Sequence, residues 1–273
     1  MNIRHLIIVI LAAVLALSGC SAPPDPEEPS PTAITTLTLT PILEATSTPS
    51  PQPPTPTTAP TPLPPEPRVI TFSTGDGQEL TGTYYPAGDN PSPLVVLMHW
   101  YPGDEEDWTQ LAYWLQNRGQ QQDTPQAESA PWRDPEWFPP LAGEQSYGVF
   151  TFTFSGCQGC CQEANHEQWL QDARAAAERA ALLPGVDQHQ IVFIGASIGA
   201  DGAMVGCTRL LEVEGPVCQG VLSLSPGNYL DNDYEQGVEK LAQAQPTQPA
   251  WCFYDVNDHT ADLCREISGE HFT

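Results

Sequence analysis

The sequence predicts an α/β fold, a mostly parallel central sheet with helices on both faces. Two observations carry this. Short continuous apolar runs, such as Leu94-Val95-Val96-Leu97-Met98 and Ile191-Val192-Phe193-Ile194, have the pattern of strands buried on both faces. Longer stretches with apolar residues at helical spacing lie between them, and strands alternating with helices build parallel sheets through right-handed crossovers. A third observation sets the boundary of the fold: of 30 prolines in 273 residues, more than half fall between 21 and 67. The folded domain is therefore expected over 68–273.

The domain opens with strands over 69–72 and 80–85 around Gly75-Asp76-Gly77, a hairpin turn signal. A strand over 94–98 follows, then a helical pattern from Asp107 through Trp108, Leu111, Trp114 and Leu115. Asp104-Glu105-Glu106-Asp107 before it reads as capping charge that complements the helix dipole; the alternative is an acidic entrance biased against anionic substrates. Further strands are expected over 149–154, 191–194, 221–224 and 250–254, with helices over 166–183, 200–211, 234–242 and 261–267. The Pro-rich insertion 120–145 holds Trp132, Trp137 and Phe138 and has the composition of a lid. Helix-to-strand connections leave from the amino ends of strands, opposite the crevice, so it is expected to be a surface brace or partner patch.

In such sheets the functional crevice lies beyond the carboxyl ends of the strands. Directly after the strand ending at Ile194 stands Gly195-Ala196-Ser197-Ile198-Gly199, and a helix follows. This matches the Gly-x-Ser-x-Gly nucleophile elbow, whose glycines allow a turn so tight that the serine projects from the sheet. On these residues the chain resembles the α/β hydrolases over about 69–273, especially the esterase and dienelactone-hydrolase-like branch. The resemblance implies an α/β-hydrolase fold, Ser197 as nucleophile of an ester hydrolase and no cofactor. The Ile198 backbone N–H is the expected first oxyanion donor, beside the positive end of a helix. His99-Trp100-Tyr101-Pro102-Gly103 resembles the family's His-Gly-x loop, with Trp100 in place of glycine. By that alignment the Tyr101 N–H is the second donor and His99 a structural hydrogen-bonding residue.

The segment from Pro249 to Asp258 resembles the family's run from a proline through an apolar strand to the acid, which implies Asp258, with Asp255 the lesser candidate. The family's histidine stands one helix and one strand further on. His271 is only 13 residues past Asp258, where the last strand would begin, and His259 adjoins the acid. The base, with the last strand, is accordingly expected beyond Thr273. His166 and His189 fit surface or helix-boundary positions. A chain without the base would instead be a non-catalytic surface module, binding through the crevice or the aromatic insertion.

The N-terminus carries a second resemblance. Arg4 and His5 precede an apolar run over 6–17 that ends in Leu17-Ser18-Gly19-Cys20. The run is a signal-peptide core, since crossing a bilayer takes ~20 apolar residues. Leu-Ser-Gly-Cys resembles the bacterial lipobox, which implies removal of 1–19, a lipid on Cys20 and an extracytoplasmic location in the cell envelope. Residues 20–67 would be an extended Pro/Thr/Ser-rich tether. Asp and Glu total 34 against 9 for Lys and Arg, a formal charge of −25 that excludes nucleic acid as a partner. Eight cysteines in an exported chain favour disulfides over metal. Cys207 with Cys218 and Cys252 with Cys264 are the expected pairs, while Cys157, Cys160 and Cys161 crowd one loop without a second ligand pair for zinc. Fatty-acid labelling of the protein in bacterial cells is expected to be lost in Cys20→Ala; labelling that persisted would refute lipidation.

Overall fold

The structure, a computed structural model, describes residues 64–118, 138–142, 145–157, 165–231, 234–255 and 261–267. Seven strands form one sheet: β1 (Arg68–Ser73), β2 (Glu79–Tyr85), β3 (Ser92–Met98), β4 (Gly148–Phe152), β5 (Val186–Ala196), β6 (Cys218–Leu224) and β7 (Ala250–Phe253). Their order is β1-β2-β4-β3-β5-β6-β7. β1 and β2 pair antiparallel as a hairpin, Arg68 opposite Tyr84, and β2 pairs antiparallel with β4. From β4 onward all pairs are parallel. A 3-10 turn (Glu105–Trp108) leads into α1 (Thr109–Leu115), followed by α2 (His166–Ala181), α3 (Ile198–Leu210), α4 (Tyr234–Ala244) and α5 (Ala261–Ile267).

Period-two alternation along the central strands divides the core between two faces. Leu94, Val96, Met98, Phe150, Phe152 and Phe193 pack with Trp169, Ala173, Ala177, Met204 and Leu241 of α2, α3 and α4. Val95, Leu97, Val149, Val192, Ile194 and Leu222 face the opposite way, against Trp108, Ala112, Trp114 and Leu115. Both faces of β3 and β5 are therefore covered, which is why their sequences are apolar without interruption.

The elements differ from the expected ones mainly at their ends. β5 begins at Val186, five residues before the expected strand, because Val186-Asp187-Gln188-His189-Gln190 continues it beyond the core with exposed or half-buried side chains. Thr153 and Phe154 lie beyond the end of β4. The helical pattern after β3 resolves into a 3-10 turn and a shorter α1. α3 starts at Ile198, two residues before the expected helix, immediately behind Ser197.

Residues 64–67, assigned by composition to the tether, lie against the domain: Gln116 Nε2 donates to the Pro65 carbonyl at 2.7 Å and Arg118 Nη2 to that of Pro64 at 3.1 Å. At the end of the insertion, Trp114 Nε1 donates to the Pro139 carbonyl at 2.5 Å and its ring packs on Phe138. Among the described residues no helix is long and apolar enough to cross a membrane. Cys20 lies outside the described residues.

Two disulfides join strands to helices. Cys207 of α3 is bonded to Cys218 at the start of β6, with Cα atoms 5.3 Å apart, and Cys252 of β7 to Cys264 of α5, 5.9 Å apart. Cys157 is disulfide-bonded as well. Closing an 11-residue separation restricts the unfolded chain by about 3 kcal/mol. The Cys207→Ala/Cys218→Ala double variant is expected to lose roughly that much stability in urea unfolding; stability equal to that of the wild type would refute it.

Candidate active site

The crevice is built where β5 ends. Ala196 closes the strand after Gly195, and Ser197 turns the chain into α3 with φ 52° and ψ −118°. A serine at positive φ is strained and persists only where its neighbours leave no alternative. Two sets of contacts supply that. The Ser197 N–H donates to the Leu224 carbonyl of β6 at 2.8 Å, and its carbonyl accepts from the N–H groups of Ala200 at 2.9 Å and Asp201 at 3.3 Å. The flanking glycines take up the remaining space: a Cβ on Gly195 would overlap the Gly199 carbonyl, and one on Gly199 would overlap the carbonyl of Met98 and lie 2.5 Å from that of His99. The first turn of α3 thus rests backbone on backbone against the end of β3.

Ile198, the expected first oxyanion donor, is the first residue of α3, where N–H groups lack intrahelical partners and the helix dipole is positive. The loop after β3 is fixed by His99, which is fully buried. Its Nε2 accepts from the Phe154 N–H at 3.0 Å, so Nδ1 carries the proton and donates to the Trp100 carbonyl at 2.8 Å. Burial holds its pKa below the usual histidine value. Both ring nitrogens are committed to backbone, a structural role. Tyr101, the expected second donor, follows with its ring 44% exposed and 6.0 Å from that of Trp169. Trp100, standing where the family has glycine, packs edge-on against Trp108 at 6.0 Å.

The acidic run after this loop is structural. Asp104 Oδ1 caps the Glu106 N–H at 2.9 Å, and the Asp104 N–H donates to Asp107 Oδ2 at 3.3 Å. Glu105 Oε2 accepts from Thr151 Oγ1 of β4 at 3.1 Å, and burial pushes its carboxyl above the ordinary range.

Two buried carboxylates, not singled out from the sequence, hold neighbouring loops. Asp172 of α2 accepts from the Ser155 N–H after β4 at 2.8 Å and from Gln168 Nε2 at 3.1 Å. Asp201 of α3 accepts from Gly227 N–H at 3.0 Å and from the N–H groups of Tyr229 and Leu230 after β6. Burial raises both acids, Asp201 to about 7. The available signal was an acid inside the apolar run from Ala200 to Val205, since a charge there needs a buried partner.

His166 opens α2, stacked on Trp169 at 5.8 Å with Nδ1 3.9 Å from Asp231 Oδ1; His189 is exposed on β5. Asp255, the lesser acid candidate, is exposed just past β7. Asp258, His259 and His271 lie outside the described residues. Among those described, no group of three or more His, Cys, Asp or Glu side chains is placed to hold a metal.

A sheet in this order, with its first two strands antiparallel and a Gly-x-Ser-x-Gly strand-to-helix turn after β5, is an α/β-hydrolase fold. No protein-family model and no curated protein matches the chain. Solved structures similar to it include a protein of unknown function from Agrobacterium tumefaciens grouped with the α/β hydrolases, 20% identical over 73% of this chain and 78% of that one, TM-score 0.47. An esterase from Pyrococcus furiosus is 16% identical over 76% and 79%, TM-score 0.46. An α/β hydrolase from a Penicillium species is 15% identical over 66% of this chain, TM-score 0.41; the chain spans about half of that protein's length, 54%.

Replacing Gly199 by alanine forces the first turn of α3 away from β3. The variant is expected to lose about 1–3 kcal/mol of stability, measured by denaturant unfolding, and stability within error of the wild type would contradict the contact.

Proposed function

We propose that the chain is a serine hydrolase acting on carboxylic esters, held outside the cytoplasm by a lipid on Cys20. The observation that carries this reading is the strained backbone of Ser197 between a buried strand and the start of α3. Nucleophilic attack requires a hydroxyl that projects into the crevice, which is what such a turn provides.

In the proposed reaction Ser197 Oγ attacks the ester carbonyl as a histidine accepts its proton, and the tetrahedral oxyanion is stabilised by the Ile198 and Tyr101 N–H groups. Collapse expels the alcohol with the proton taken from serine and leaves an acyl-enzyme. Water activated by the same base then releases the acid and restores Ser197. Asp258 has the part of the group that orients and charge-balances the imidazole. The fixed positive end of α3 acts before the reaction begins, so no dipole has to reorganise as charge develops on the carbonyl oxygen.

The full-length protein is expected to be labelled by a fluorophosphonate and to hydrolyse p-nitrophenyl butyrate, both being lost in Ser197→Ala. A folded wild-type protein that takes no label and shows no turnover would overturn the hydrolase reading in favour of a binding module.

A further inference from the structure

We propose that Asp201 is a positioning residue of the reaction: its carboxylate fixes residues 225–231, which follow β6, as the wall of the crevice beside Ser197. The proposal rests on Ser197 being the nucleophile and adds the residue that shapes where substrate lies.

The segment starts next to the nucleophile. Leu224, the last residue of β6, accepts the Ser197 N–H, and Ser225 follows it at the carboxyl end of the sheet. Three of the next residues that carry side chains stand at positive φ: Ser225 at 54°, Asn228 at 57° and Asp231 at 51°. Such a run is unfavourable on its own and needs external restraint. Asp201 supplies it by taking the N–H groups of Gly227, Tyr229 and Leu230. From the other end, Asn228 Oδ1 accepts the Tyr234 N–H at 2.7 Å, and the Ser225 N–H donates to the Phe253 carbonyl at 2.7 Å.

Asp201 is 0% exposed, in a helix turn of Ala200, Gly202, Ala203 and Met204. A charge there is costly to desolvate; its place in the first turn suits the dipole of α3, but its oxygens are taken by N–H groups of the chain after β6. Among the described residues the Tyr234 phenol of α4, itself raised by burial, interacts with it. What the carboxylate does accomplish is geometric. The Asp201 N–H bonds the Ser197 carbonyl at 3.3 Å, so a single helical turn carries the nucleophile at one end and the anchor of the loop at the other. The wall is thereby indexed to the serine.

The test compares full-length wild type, Asp201→Asn and Asn228→Gly at pH 8 by p-nitrophenyl butyrate kinetics, fluorophosphonate labelling and amide hydrogen exchange. Asn keeps the volume and one acceptor of Asp201. Gly keeps the positive φ at 228 and removes only the acceptor for Tyr234. In Asp201→Asn, exchange over 225–230 is expected to accelerate while the β6 amides stay protected, KM to rise about tenfold and kcat to stay within about threefold. Asn228→Gly should show the same split in smaller measure, and it decides the matter alone if Asp201→Asn fails to fold. A loosened loop with unchanged KM, or a loss confined to kcat, would overturn the positioning role. A labelled wild type with both variants unchanged would refute this proposal alone, whereas an unlabelled wild type would refute the hydrolase reading beneath it.

Discussion

The contact of Gly199 with the carbonyls of Met98 and His99 is the constraint from which the rest of the crevice is set. It brings the start of α3 down onto the end of β3 with no side chain between them. The serine between β5 and α3 then has no room for a relaxed turn, and its strain is maintained by main-chain contacts that substitution of other side chains barely touches. The same contact places the loop after β3, with His99 locked beneath it, next to Ser197.

Around that contact three carboxylates, Glu105 half-buried and Asp172 and Asp201 buried, serve a common purpose on different loops. Glu105 ties the turn after β3 to Thr151, Asp172 holds the chain after β4, and Asp201 holds the chain after β6. Each exchanges water for hydrogen bonds from the protein, and each has its acidity weakened by burial. A surface loop that must keep one shape cannot rely on apolar packing, because too little of it is covered; a buried acceptor collecting its N–H groups achieves the same fixity from below.

The parts legible in the sequence were those decided by local chemistry. Strands covered on both faces declared themselves as apolar runs, and the elbow did so because its two glycines are required by sterics. The polar start of β5 was illegible: Gln188, His189 and Gln190 extend the strand beyond the core, where no apolar pattern marks it. Asp172 and Asp201 were passed over because an acid in a helix usually faces water, and only the fold reveals that their partners lie in loops distant in the chain. Residues 64–67 were read as tether since Pro65 and Pro64 offer carbonyls, not side chains, to Gln116 and Arg118.

The Cys207–Cys218 and Cys252–Cys264 disulfides have a consequence for how the chain oxidises. Each joins cysteines 11 or 12 residues apart. In an unfolded chain the chance of encounter falls with separation, so each cysteine meets its native partner more often than either member of the other pair. Chain statistics thus favour the native pairing of these four cysteines over exchange between the two pairs.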